Sequence, residues 1–115
     1  MPFPHVAIRR HFIAGEAAPT AQQKGDCLEA IAKLLFEAVP GLELVDTKSV
    51  NSTNSIEIDL VFLNNLHRSG FPDLERFLLV ECKNWVTPVD APTIRDFRVK
   101  LRRKKRKYGF LLAAN

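Results

Sequence analysis

The chain has 115 residues, of which 46% are hydrophobic and 26% charged, with a formal net charge of +4 and a pI near 9.3. That length supports one domain with a single core, and the composition is that of a soluble globular protein. No apolar run is long enough to cross a membrane, the N-terminus lacks the order of a signal peptide, and two cysteines do not make a disulfide framework, so a cytoplasmic chain with reduced thiols is expected.

Residues 1–19 have weak periodicity and are broken by Pro2, Pro4, Gly15 and Pro19, which predicts an N-terminal arm or irregular cap. The domain proper is expected over 20–115. A helix should begin after Thr20, since "TAQQ" has the spacing of a capping box with Gln23. Leu28, Ile31, Ala32, Leu35 and Val39 then recur at helical spacing as one apolar stripe, and Pro40-Gly41 ends it.

Two extended segments follow, 42–50 and 55–63, on either side of the polar "NSTN", and they read as a β-hairpin. Residues 64–76 contain Gly70 and Pro72 and read as a loop. A third strand is expected over 76–85, "RFLLVECKNW". A second helix should start at Asp90 as N-cap, bury Ile94, Phe97 and Leu101, and run into a basic block that ends before Gly109. The apolar "FLLAA" is the last strand and reads as a central one. The order is α-β-β-β-α-β, an α/β domain with a mixed central sheet flanked by helices.

Within this pattern Asp59, Glu81 and Lys83 interrupt apolar strands. A charge inside such a strand is costly unless it is paired or bound to a metal. Glu81 and Lys83 are two apart and share one face of their strand. If the second and third strands are neighbours, Asp59 can approach Glu81. Two close carboxylates repel, and a hard divalent cation such as Mg²⁺ relieves that repulsion while leaving positions for water and a phosphate. A lysine beside the ion could orient or deprotonate the attacking water, so the group has the makings of a phosphodiesterase site. The plainer alternative is an exposed ion network on a wet sheet face, with Asp59 as a turn or edge residue.

Eight of the ten residues Arg98–Lys107 are basic: Arg98, Lys100, Arg102, Arg103, Lys104, Lys105, Arg106 and Lys107. Six of these are consecutive, so a continuing helix would carry positive charge on every face. Contact with phosphates accounts for that better than solvation of a helix end does. His5, His11 and His67 have no metal-ligand spacing, Cys82 reads as a small core residue, and Asn84 and Trp85 could approach a substrate, with packing of Trp85 on the second helix as the equal alternative.

"EIDLVF", a loop, then "LLVECKNW" resembles the core motif of the PD-(D/E)xK nucleases, the restriction-endonuclease-like superfamily, and within it the Mrr-like and Holliday-junction-resolvase-like branch. "KGDCLEAIAKLL" resembles that family's first helix, and the likeness covers roughly 22–115. It implies Asp59 and Glu81 as metal ligands, the backbone carbonyl of Cys82 as a further ligand, Lys83 as the catalytic lysine and Glu29 as holder of a metal-bound water. The implied activity is Mg²⁺-dependent hydrolysis of double-stranded DNA, with Mn²⁺ as substitute and a homodimer as the means of cutting both strands. The motif departs from the family in having Ile58 before Asp59 instead of Pro. The family also usually adds a helix after the last strand, so a trimmed or partial chain is expected. The rival expectations are a catalytically inactive nuclease-fold module that binds DNA or supports a partner, and an RNA-associated basic protein.

Overall fold

The computed structural model describes the backbone of residues 3–52, 55–83 and 89–114, and the side chains of these except 48–52 and 55–59. Among these residues three helices and four strands follow one another as α1 (His5–Ala17), α2 (Ala21–Glu37), β1 (Leu42–Ser52), β2 (Ser55–Asn64), β3 (Phe77–Cys82), α3 (Ala91–Arg103) and β4 (Gly109–Leu112). The strands form one mixed sheet in the order β1-β2-β3-β4. The pairs β1/β2 and β2/β3 are antiparallel, and β3/β4 is parallel. The chain is therefore an α/β domain.

Residues 1–19, expected as an irregular arm, contain the helix α1, which packs along α2. Its apolar residues have too weak a helical period to mark it, and it is held by the next helix. The ammonium of Lys24, on α2, donates to the carbonyls of Gly15 and Glu16 at 3.1 and 3.3 Å, a positive charge at the carbonyl end of α1. Gly15 is buried at that contact.

α2 begins where the capping signal puts it. Thr20 is the N-cap, and its hydroxyl accepts from the Gln23 amide at 3.1 Å. Its buried face is Leu28, Ile31, Ala32 and Phe36, with Leu35 and Val39 half-buried beside it. Phe36 is the residue that the sequence stripe omits. Its ring lies 5.6 Å from that of Phe62 and 5.0 Å from that of Phe110, so it joins the helix to the second and last strands at once.

Alternation along the strands divides the sheet into two faces. Leu60 and Phe62 of β2, Leu78, Val80 and Cys82 of β3, and Phe110 and Leu112 of β4 pack with α2 into one core. Leu79, Glu81 and Gly109 belong to the other row. Their face receives α3, because Gly109 has no side chain: a Cβ there would lie 2.6 Å from Leu101 Cδ2 and 2.8 Å from Phe97 Cζ. α3 thus meets the sheet through its C-terminal half. Phe97 is buried as expected, but Ile94, expected with it, is 50% exposed, a full turn before the contact.

β4 is an edge strand among the described residues, not a central one. Its apolar run reflects helices on both faces of the sheet rather than strands on both edges. The hairpin strands extend further than expected, with the ladder closing at Ser52 and Ser55, and a bulge at Val45 shifts the register between Leu44 and Asp46.

The loop after β2 is held by Asn64, which is fully buried. Its amide group donates to the carbonyls of Phe71 (2.9 Å) and Glu75 (3.0 Å), and its side-chain oxygen accepts from the Leu66 amide at 3.0 Å. A buried amide with its hydrogen bonds made in this way fixes the loop.

Candidate functional site at the end of β3

β3 delivers Glu81 to the α3 side of the sheet, and there it is 1% exposed. A carboxylate taken so far from water needs cationic or hydrogen-bonding partners. Two lysines supply them. Lys83, two residues on along the same row, places its ammonium 3.2 Å from Oε2. Lys100, from the last turn of α3, reaches Oε1. An exposed ion network on a wet sheet face is therefore excluded: the acid is interior, and its cations come from two different elements.

The backbone holds this arrangement in register. The Lys83 amide donates to the Leu112 carbonyl at 2.8 Å, so the chain just past β3 is tied to β4. Across the antiparallel ladder, Asp59 is the register partner of Glu81. Paired positions of this kind have Cβ atoms about 4.5–5.5 Å apart. The Asp59 side chain lies outside the described residues, as do Asn84 and Trp85. Cys82 points the other way and is buried in the α2 core, outside any disulfide. Glu29 is on α2, against the opposite face of the sheet, and its carboxylate pairs with Lys33 one turn on at 3.5 Å.

The basic block is not one helix. α3 stops at Arg103, with Lys104 as C-cap. Lys105 has φ 57°, and the Lys105 and Arg106 amides donate to the carbonyls of Arg102 (3.0 Å) and Leu101 (2.8 Å). This is a Schellman closure with lysine where glycine is usual. The expectation of positive charge on every helix face therefore fails, because residues 104–107 form a turn.

Within the block, Arg98, Arg102 and Arg103 on the helix and Lys104, Lys105 and Lys107 in the turn are exposed. Lys100 and Arg106 are half-buried. Lys100 serves Glu81, and the Arg106 guanidinium lies 5.4 Å from the centre of the Phe77 ring. Glu75 anchors the turn, its Oε1 accepting from the amides of Lys107 and Tyr108. Sequence reasoning missed Lys100 as a partner of Glu81. The available signal was its position three residues after Phe97 and next to Leu101, at the border of the buried stripe.

Whether a divalent cation suits the site is a question of donor chemistry. The Glu81 carboxylate, the Cys82 backbone carbonyl and an aspartate at the opposing register position are all hard oxygen donors, the type that Mg²⁺ takes. Among the described residues, no group of three or more His, Cys, Asp or Glu could hold a metal ion. The described helices include none long and apolar enough to cross a membrane. No family model, no curated protein and no solved structure matches the chain.

Proposed function

We propose that the chain is a Mg²⁺-dependent DNA endonuclease with the restriction-endonuclease-like fold, a member of the PD-(D/E)xK superfamily acting in the cytoplasm. The observation that carries the proposal is the buried Glu81 carboxylate at the end of β3, with the Lys83 ammonium 3.2 Å away and Asp59 opposite it in the ladder. Support also comes from the element order after α1, which runs α-β-β-β-α-β.

Glu81 and Asp59, with the Cys82 carbonyl, would hold Mg²⁺ or Mn²⁺. When bound, the ion polarises the phosphoryl oxygens and lowers the pKa of its water. Lys83 is confined to the same row as Glu81 by strand alternation and by its backbone bond to β4. Its ammonium can therefore fix the position of the attacking water and hold its proton in check, as positional catalysis requires. Arg98, Arg102 and Arg103 line the exposed side of α3, where they would grip backbone phosphates without reading bases. Glu29 enters only through the family pattern. Two copies would be needed to cut both strands.

A second proposal is a module of this fold that binds DNA without cleaving it or supports a partner. It is favoured by the two lysines on the two oxygens of Glu81, which is what a purely structural ion cluster would look like.

The test is nicking of supercoiled plasmid by the wild type and by Lys83→Ala, each with Mg²⁺ or with EDTA. The expected result is nicking that needs the metal and falls at least about 100-fold in the variant. Equal activity in the variant would point to a contaminant and end the nuclease assignment. No cleavage together with salt-sensitive DNA binding would select the module.

A further inference from the structure

Lys100 has no assigned part in the chemistry above, yet it reaches the same carboxylate as Lys83 from another element. We propose that Lys100 is an internal cation that occupies Oε1 of Glu81 until a divalent cation takes its place, so that metal binding and release of Lys100 are one event. This rests on the nuclease reading and adds a control step to its site.

The physical reason is crowding of like charge. Two ammonium groups already face the Glu81 carboxylate, which is 1% exposed, in a place where water screens poorly. A divalent ion on that carboxylate would lie within a few ångströms of both. One ammonium must give way, and the two lysines differ in their freedom to do so. Lys83 lies just past the end of β3, with its amide held by Leu112. Lys100 comes from the last turn of α3, and its side chain is 26% exposed. Its flexible four-carbon stem lets the ammonium swing to the surface while the helix stays where Phe97, Leu101 and Gly109 fix it.

The surface it would reach carries Arg102 and Arg103, the residues proposed to hold DNA phosphates. A phosphate there offers Lys100 a replacement partner. DNA should therefore favour the released position and tighten metal binding, and by linkage the metal should tighten DNA binding. With neither bound, Lys100 keeps the buried Glu81 compensated.

The measurement is isothermal titration of MgCl₂, and separately MnCl₂, into the full chain and into Lys100→Gln, Lys100→Met and Glu81→Gln. Lys100→Gln retains a donor for Oε1 without the charge. The expected result is a Kd roughly tenfold tighter in the Lys100 variants than in the wild type, within the usual range of coupled sites, and no binding in Glu81→Gln. Equal affinity in wild type and Lys100 variants, still lost in Glu81→Gln, would overturn the exchange while leaving the metal site standing. No binding dependent on Glu81 in any protein would remove the metal site and the exchange with it. Should the variants fail to fold, amine-reactive footprinting of the wild type decides the matter. Acylation of Lys100 should rise several-fold with saturating Mg²⁺, and an unchanged rate would overturn the proposal.

Discussion

Glu81 illustrates how one residue can be both expensive and fixed. Removing a carboxylate from water is unfavourable by several kcal/mol, and two cations at hydrogen-bonding range offset it. Removing Glu81 would take away the carboxylate that both lysines share, whereas removing one lysine leaves the other on it. Lys105 is a different case, since its strain is purely local. With φ 57° it adopts the left-handed conformation at the end of α3, which disfavours a residue with a Cβ by roughly 1–2 kcal/mol. Replacing it by glycine keeps both closing hydrogen bonds and removes that strain. Lys105→Gly should therefore raise stability by about 1 kcal/mol, seen as an increase in Tm of about 4 °C or more for a domain of this size. A fall in Tm would mean that the Lys105 side chain makes a contribution larger than the strain.

At the scale of the element, α3 links the candidate site to the basic surface. Its start is fixed by Asp90, whose carboxylate accepts from the Thr93 hydroxyl at 2.6 Å and from the Thr93 amide at 2.9 Å. Those two bonds, the hydroxyl first, hold the Asp90 carboxyl below the usual aspartate range. A depressed pKa in the folded state means that the cap contributes fully above the unfolded value, about 3.9, and loses its contribution as pH falls through the lower folded value. Asp90→Asn keeps a capping oxygen that does not titrate. Urea unfolding between about pH 5 and pH 2 should show the wild type losing stability relative to Asp90→Asn as the pH drops. Parallel curves would show that the carboxylate is not an effective cap. Since Lys100 reaches Glu81 from the last turn of this helix, fraying at its start would also loosen the site.

Across the whole molecule, the sheet separates two tasks. The face against α2 carries Leu60, Phe62, Val80 and Phe110 and supplies the stable core. The face against α3 carries Leu79 and also Glu81, whose carboxylate is met by Lys83 and, from the helix, by Lys100. The net charge of +4 is concentrated at the far end of α3 and in the turn after it. On the proposed function, this end meets the DNA backbone, and affinity should fall with salt as contacts release counterions. Arg102→Ala with Arg103→Ala should lower the slope of log K against log salt by about 0.9 for each phosphate contact removed. Fluorescence anisotropy with a duplex at several salt concentrations measures this. An unchanged slope would move the phosphate contact elsewhere on the surface.

Much of the local structure was legible because its causes are local. Thr20 and Asp90 are capping residues with their partners three positions on, and both cap as their spacing implies. Glu81 and Lys83 share a row because strand alternation has a period of two, and Asp59 meets Glu81 once β2 and β3 pair. The misread elements carry no signal that periodicity or composition registers. α1 has weak periodicity of its own and is closed by Lys24. β4 is apolar because both its faces are covered, a pattern that a central strand would share. The basic run looked like a continuous charged helix because composition carries no sign of a left-handed residue at Lys105. By itself, then, the sequence determined the caps, the strand rows and the chemical character of the candidate site. Only the tertiary structure decided that Lys100 leaves the basic surface to join Glu81, because that contact exists only once Gly109 lets α3 settle on the sheet.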